Sequence, residues 1–133
     1  MIRIKNFELK TGADIFKGFS DESRIRIMHL IYKNEEMCIS DLELILDFTQ
    51  TKTSRHLIYL KNARLLKYKK ADQWVYYYLN EAYYDIINQI FMFMEKDPVL
   101  LKDLGEYRTL YSNNELAIRK LHNTQKIYKL PAL

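Results

Sequence analysis

The chain has 133 residues, is 48% apolar and carries only three glycines and two prolines. That length suffices for one hydrophobic core without staples, and that composition excludes a disordered chain and a many-turned β fold. The net charge is +4, and the single cysteine, Cys38, excludes an internal disulfide.

No apolar stretch reaches the roughly 18 residues that a membrane-spanning helix requires. The opening Met1-Ile2-Arg3-Ile4-Lys5 lacks the apolar run and small-residue cleavage site of a secretory signal. The expected compartment is therefore the cytoplasm, with no membrane partner.

In chain order, Thr11-Gly12 precedes a short helix expected from Ala13 to Phe19. Ser20-Asp21 supplies N-cap chemistry, because a short side-chain oxygen accepts from the free N–H groups of a first turn. The next helix carries Ile27, Leu30 and Ile31 as one apolar stripe and ends near Lys33-Asn34. Ser40-Asp41 offers a second cap, followed by Leu42, Ile45 and Leu46 at helical spacing. After a break at Asp47-Phe48, Thr49 offers a third cap. The helix that follows buries Leu57 and Leu60, while its opening turns are polar, Gln50 to Arg55. A short helix, a tight turn and a second helix with a polar, basic start form a helix-turn-helix.

Leu66 to Tyr68 and Trp74 to Leu79 read as two strands, with Lys69 to Gln73 as the connecting tip. A basic hairpin after a reader helix is a wing. Asn80-Glu81 caps a further helix running to about Lys96, apolar on several sides through Tyr83, Ile86, Ile87, Ile90, Phe91, Phe93 and Met94. A helix of that kind is deeply buried or shared with a second chain, and in so small a domain the second chain is favoured. Asp97-Pro98 ends it. Beyond Val99 the pattern fades, with one more helix expected from Glu115 to Lys126 on Leu116, Leu121 and Ile127.

The charge is unevenly placed. From Phe48 to Ala71 there is no Asp or Glu, yet that stretch holds Lys52, Arg55, Lys61, Arg64, Lys67, Lys69 and Lys70, seven of the 21 basic residues. A basic segment on an otherwise acidic chain points to an anion-binding face. The plainer reading of the charge alone is a solvated basic helix.

Four segments in order carry a resemblance. Phe19-Ser20-Asp21-Glu22-Ser23-Arg24-Ile25-Arg26-Ile27, Glu36-Met37-Cys38-Ile39-Ser40-Asp41-Leu42, Gln50-Thr51-Lys52-Thr53-Ser54-Arg55-His56-Leu57 and Trp74-Val75-Tyr76-Tyr77-Tyr78-Leu79 are similar to the motifs of arsenic-repressor-type (ArsR/SmtB) regulators. The match runs from about Asp14 to Leu79. It implies a winged helix-turn-helix, mainly α with a small β-hairpin wing, that dimerises through its terminal helices. It also implies a homodimeric repressor with one reader helix per subunit in the major groove of a pseudo-palindromic double-stranded DNA operator. The whole chain is then one winged-helix domain, with residues 13–79 the DNA-binding core and 80–133 a dimerisation helix and C-terminal extension.

The side-chain chemistry agrees. Gln50 pairs a donor with an acceptor, as adenine requires, and Arg55 can fork onto guanine or clamp a phosphate. Thr51, Thr53 and Ser54 are short enough for backbone or base-edge contacts. Lys52, Lys69 and Lys70 can reach phosphates. Gln50, Lys52 and Arg55 are assigned to specificity, and the wing lysines to affinity. Thr53 reads equally as an inward packing residue, His56 as a structural histidine, and Lys61 and Arg64 as solvation of the helix end.

The family's metal sites imply inducers that this sequence does not support. In one site two cysteines of a Cys-x-Cys element supply thiolates. Here Cys38 holds the first place but Ser40 the second, a poor ligand for thiophilic metals. The other site uses histidines on the C-terminal helix, and Glu81 to Lys96 holds none. No metal or cofactor is expected and the inducer stays open. Cys38 is a candidate thiol sensor, with a small buried thiol as the plainer reading. Tyr83, Tyr84, Phe91 and Phe93 could hold a signal molecule, against the plainer reading as packing. The alternative function is a winged-helix module for protein–protein contact. An enzyme is disfavoured because no nucleophile–base pair or glycine-rich phosphate loop is present.

Overall fold

The computed structural model describes residues 6–128. Seven α-helices and a three-stranded antiparallel sheet occur among them: α1 (Leu9–Gly18), α2 (Glu22–Asn34), β1 (Glu36–Cys38), α3 (Ile39–Leu46), α4 (Gln50–Asn62), β2 (Leu66–Ala71), β3 (Trp74–Leu79), α5 (Tyr84–Met92), α6 (Pro98–Ser112) and α7 (Ala117–Tyr128). This is a winged helix-turn-helix with three helices after the wing.

Helix α2 is central. Asp21 caps it by accepting the Arg24 N–H at 3.1 Å. Its stripe of Ile27, Leu30 and Ile31 is fully buried, and Met28 and His29 are buried beside it. Arg24 also closes the end of α1, donating from Nε to the Gly18 carbonyl and from Nη2 to that of Lys17. Gly18 is glycine for a packing reason. A Cβ there would lie 2.3 Å from Leu65 Cδ1, so the buried Leu65 side chain would have to shift for α1 to keep its approach to the turn after α4.

Between α3 and α4 the chain turns on Asp47, which sits in the left-handed region at φ 56°. Thr49 then caps α4, accepting the Lys52 N–H at 3.1 Å. The helix-turn-helix thus follows the expected spacing, but its first helix starts differently. Ser40-Asp41 does not cap α3, which begins at Ile39 with no side-chain cap. Asp41 turns inward instead and accepts the Ala117 and Ile118 N–H groups of α7, each at 2.8 Å.

The sheet has the order β1-β3-β2. Strand β1, three residues long, is too short for alternation to reveal it in the sequence. Strand β2 extends through Ala71 in register with Trp74, so Lys69 and Lys70 are strand residues and only Asp72-Gln73 forms the tip. Asp72 takes the left-handed conformation there at φ 55°, as tight hairpin turns demand.

The helix expected to reach Lys96 is shorter. A 3₁₀ turn at Glu81–Tyr83 precedes α5, which stops at Met92. Pro98 opens a helix as well as excluding one: Asp97 accepts the Val99 and Leu100 N–H groups, and Pro98 begins α6, where its missing N–H costs nothing. Helices α6 and α7 pack back onto the winged helix, α6 against α2 and α3, and α7 against β1, β3 and α3. Arg26 forks onto Asp103 with two 2.9 Å bonds. His122 bridges Tyr111 and Glu36 at 3.0 and 3.1 Å. Leu116 and Leu121 join the common core as expected, with Ile118 beside them; the side chain of Ile127 lies outside the described residues. No described helix is long and apolar enough to cross a membrane.

Candidate nucleic-acid interface

Helical stepping decides what α4 offers. Thr53, His56, Leu57 and Leu60 point into the core. The opposite face presents Gln50, Thr51 and Arg55 to solvent with Ser54 half-buried between them. That face continues through Ile58, which is 52% exposed, to Lys61. Ile58 was missed by the sequence reading, although counting four residues at a time from Gln50 reaches it. Lys52 lies to one side of this face, its ammonium 4.0 Å from the centre of the Phe48 ring.

Two residues with open assignments are structural. Thr53 is fully buried, and its hydroxyl donates to the Thr49 carbonyl at 2.8 Å. His56 is buried, and desolvation is the main force holding its pKa below the ordinary imidazole value. Asp21 opposes that shift, while Arg55, Arg24 and Lys52 add to it. Burial thus favours the neutral imidazole, which packs on the inner side of α4.

On the wing, Lys67, Lys69 and Lys70 are all exposed. The Lys69 ammonium is 5.4 Å from the Tyr78 ring and that of Lys61 5.3 Å from the Tyr68 ring. The ion pairs among the described residues are Lys10–Asp14, Arg26–Asp103 and His122–Glu36. None involves a cation between Phe48 and Ala71. Seven positive charges thus lie on α4 and the wing with no carboxylate partner among the described residues.

Cys38 ends β1, paired with Tyr76 of the wing. It is 3% exposed, and burial, with Asp41 and Glu36 nearby, pushes its thiol up to about 12. Burial of this kind disfavours the thiolate that oxidation uses. Ser40, two residues on, is exposed. Among the described residues no three His, Cys, Asp or Glu side chains are grouped to hold a metal ion. The aromatic residues named for signal binding divide: Phe91 is buried against Phe19, His29 and Tyr32, whereas Phe93 is 84% exposed.

Comparison with known proteins places this geometry. Residues 21–68 match the family described as bacterial regulatory protein, arsR family. The arsenical resistance operon repressor of Bacillus subtilis is 36% identical over 81 residues, covering 61% of this chain and 77% of that protein. The chain belongs to the arsR family of bacterial regulatory proteins. Another arsR-family relative, the arsenic resistance transcriptional regulator ArsR2 of Pseudomonas putida, is 43% identical over 70 residues, or 53% of this chain. The chain spans 61% of the length of that relative. Among solved structures, the homodimeric winged helix-turn-helix DNA-binding domain Mb0332 from Mycobacterium bovis superposes with a TM-score of 0.60. That match has 18% identity and covers 66% of this chain and 82% of the other, a likeness of fold. The arsR-family match ends inside the wing, so α5 to α7 of this chain lie outside it.

Proposed function

We propose that the chain is a cytoplasmic, sequence-specific transcriptional regulator that binds a double-stranded DNA operator as a homodimer and represses transcription. The observation that carries this reading is the α4–wing surface, whose seven cations have no acidic partner among the described residues. Such a surface attracts a polyanion and releases its counterions. Gln50 and Arg55 read base edges from the exposed first turns of α4, with Thr51 and Ser54 beside them. Lys52, held over Phe48, reaches a phosphate, and Lys69 and Lys70 grip the backbone from the wing. The repressor role rests on what the Bacillus subtilis relative is called.

Dimerisation falls to α1 and α5, the helices at either end of the winged helix. Leu9 and Phe16 on α1 are 92% and 76% exposed, as are Met92 and Phe93 at the end of α5 at 55% and 84%. These bared apolar side chains support a contact with a second copy of the chain. Two reader helices about one turn of DNA apart, roughly 34–36 Å, would match a pseudo-palindrome. Residues 13–79 form the DNA-binding core, and the later helices brace it.

The test is selection of bound duplexes from random DNA at controlled salt. A recovered motif with two-fold symmetry is expected. Recovery of unbiased sequence, or no salt-dependent binding at all, would refute operator recognition and favour a protein-contact module.

A further inference from the structure

A groove of about 460 Å³ opens between the end of α4 and the base of the wing, lined by Lys61, Arg64, Lys67, Tyr68, Tyr78 and Asn80. It lies at the far end of α4 from the polar turns assigned to base reading. Three cations converge on it and no lining residue is acidic. Like charges brought together repel, and the repulsion is relieved when an anion sits among them.

The groove is held in shape. Asn80 donates from its side-chain amide to the Arg64 carbonyl at 2.8 Å, and its backbone N–H donates to the Leu65 carbonyl at 2.9 Å. Its side-chain oxygen accepts the Ala82 N–H at 3.1 Å. One asparagine thus pins the turn after α4 to the end of β3. Arg64 is fixed in the left-handed region at φ 65°, a conformation that disfavours a residue with a Cβ. The tethers fix its backbone at the edge of the groove, which Arg64 lines. The Lys61 ammonium stands 5.3 Å from the Tyr68 ring, which orders a long side chain beside Lys67.

Helix geometry supplies the ligand. Gln50, Ser54, Ile58 and Lys61 follow one face of α4. At about 1.5 Å per residue, Gln50 and Lys61 are separated by roughly 16 Å along the axis. A major groove is about 12 Å wide. A helix whose first turns enter that groove carries its last turn past the groove wall, where the phosphates run.

We propose that this groove binds a phosphodiester of the same duplex, beyond the bases read by Gln50 and Arg55, and so extends the footprint along the backbone. The inference rests on the DNA-binding reading and adds Lys61, Arg64 and Lys67 to it. Complementing the carbonyl end of α4 is the other role open to Lys61, and that role would alter stability without altering the salt dependence of binding.

The experiment compares the full chain with the double variant Lys61→Gln, Lys67→Gln. Affinity is measured against salt on the selected operator and on a random-sequence duplex, beside Arg55→Ala. Each lost phosphate contact lowers the logarithmic salt slope by about 0.9, a loss of roughly tenfold in affinity at 0.1 M salt. The double variant is expected to lower the slope by nearly 2 on both duplexes while keeping its base preference and its urea midpoint. An unchanged slope, with Arg55→Ala still losing base preference, would overturn the groove contact and leave operator recognition standing. Loss of base preference in the wild type with the slope difference intact would do the reverse. No DNA binding by the wild type would overturn both. Titration with inorganic phosphate separates a free ligand: saturable amide shifts at Lys61 and Lys67 with no slope difference would overturn the backbone contact.

Discussion

Replacing Asp41 by alanine tests how the C-terminal helices are fastened to the helix-turn-helix. The carboxylate is 2% exposed and accepts two N–H groups at the start of α7. Its removal leaves both donors without a partner. A buried donor left unpaired costs about 1–3 kcal/mol, and loss of an N-cap costs about 0.5–2 kcal/mol. Burial is the leading influence on the Asp41 carboxyl and pushes its pKa up, opposed by those same hydrogen bonds and by Lys120. Deleting a charge held at such a cost returns part of the loss. We therefore expect Asp41→Ala to destabilise the chain by about 2–3 kcal/mol, and Asp41→Asn, which keeps one acceptor oxygen, by about 1 kcal/mol less. Urea unfolding measures the total. Hydrogen exchange locates it, because 2 kcal/mol of local opening is about a thirtyfold loss of protection at Ala117 and Ile118. A variant within 0.5 kcal/mol of the wild type, with protection unchanged at those two amides, would refute the clamp.

Three further outcomes are expected. His29 is 2% exposed, its Nδ1 has no hydrogen-bond partner, and desolvation, reinforced by Lys33, pulls its pKa down to about 4. A depressed pKa means that the unfolded chain takes up the proton first. The stabilisation is complete above about pH 6.5 and declines as pH falls toward 4, by about 3 kcal/mol at most; His29→Leu should flatten that part of the urea-midpoint profile, and parallel wild-type and variant curves would contradict it. Gly18→Ala drives a Cβ against the buried Leu65, a clash expected to cost about 1–3 kcal/mol in thermal unfolding, and an unchanged melting temperature would disprove the close approach. Lys69→Ala with Lys70→Ala should weaken binding to all sequences alike and lower the salt slope by about 2, whereas a loss confined to one base pair would assign a wing lysine to base reading.

Much of the helix-turn-helix was legible because its signals are local. Asp21 and Thr49 cap the helices they precede, and the stripe of Ile27, Leu30 and Ile31 marks the buried side of α2. The exposed face of α4 followed from its polar first turns, and the charge count isolated a surface whose cations form no ion pair among the described residues. What escaped depends on partners distant in sequence. Asp41 has the chemistry of a cap and is one, but for a helix 76 residues further on. Strand β1 exists only because β3 pairs with it, Glu36 with Tyr78 and Cys38 with Tyr76. Phe93 and Met94 continue the apolar run of α5 past its end, which stretched the expected helix to Lys96. Helix α6 was within reach: Leu100, Leu104, Tyr107 and Tyr111 keep helical spacing, and Pro98 was read as a stop when it is equally a start. The groove beside Arg64 needed Asn80 in place, since charge alone reads Lys61 and Arg64 as solvated.

The central claim is that the exposed face of α4 reads base pairs, with Arg55 as its strongest contact. A two-by-two cycle tests it directly: wild type and Arg55→Ala, each titrated with the selected operator and with duplexes changed at one G·C pair. The wild type should lose about 1–3 kcal/mol at the pair that Arg55 contacts, and Arg55→Ala, still folded, should bind the two duplexes alike. An Arg55→Ala variant that keeps the wild-type discrimination at every position would contradict the account.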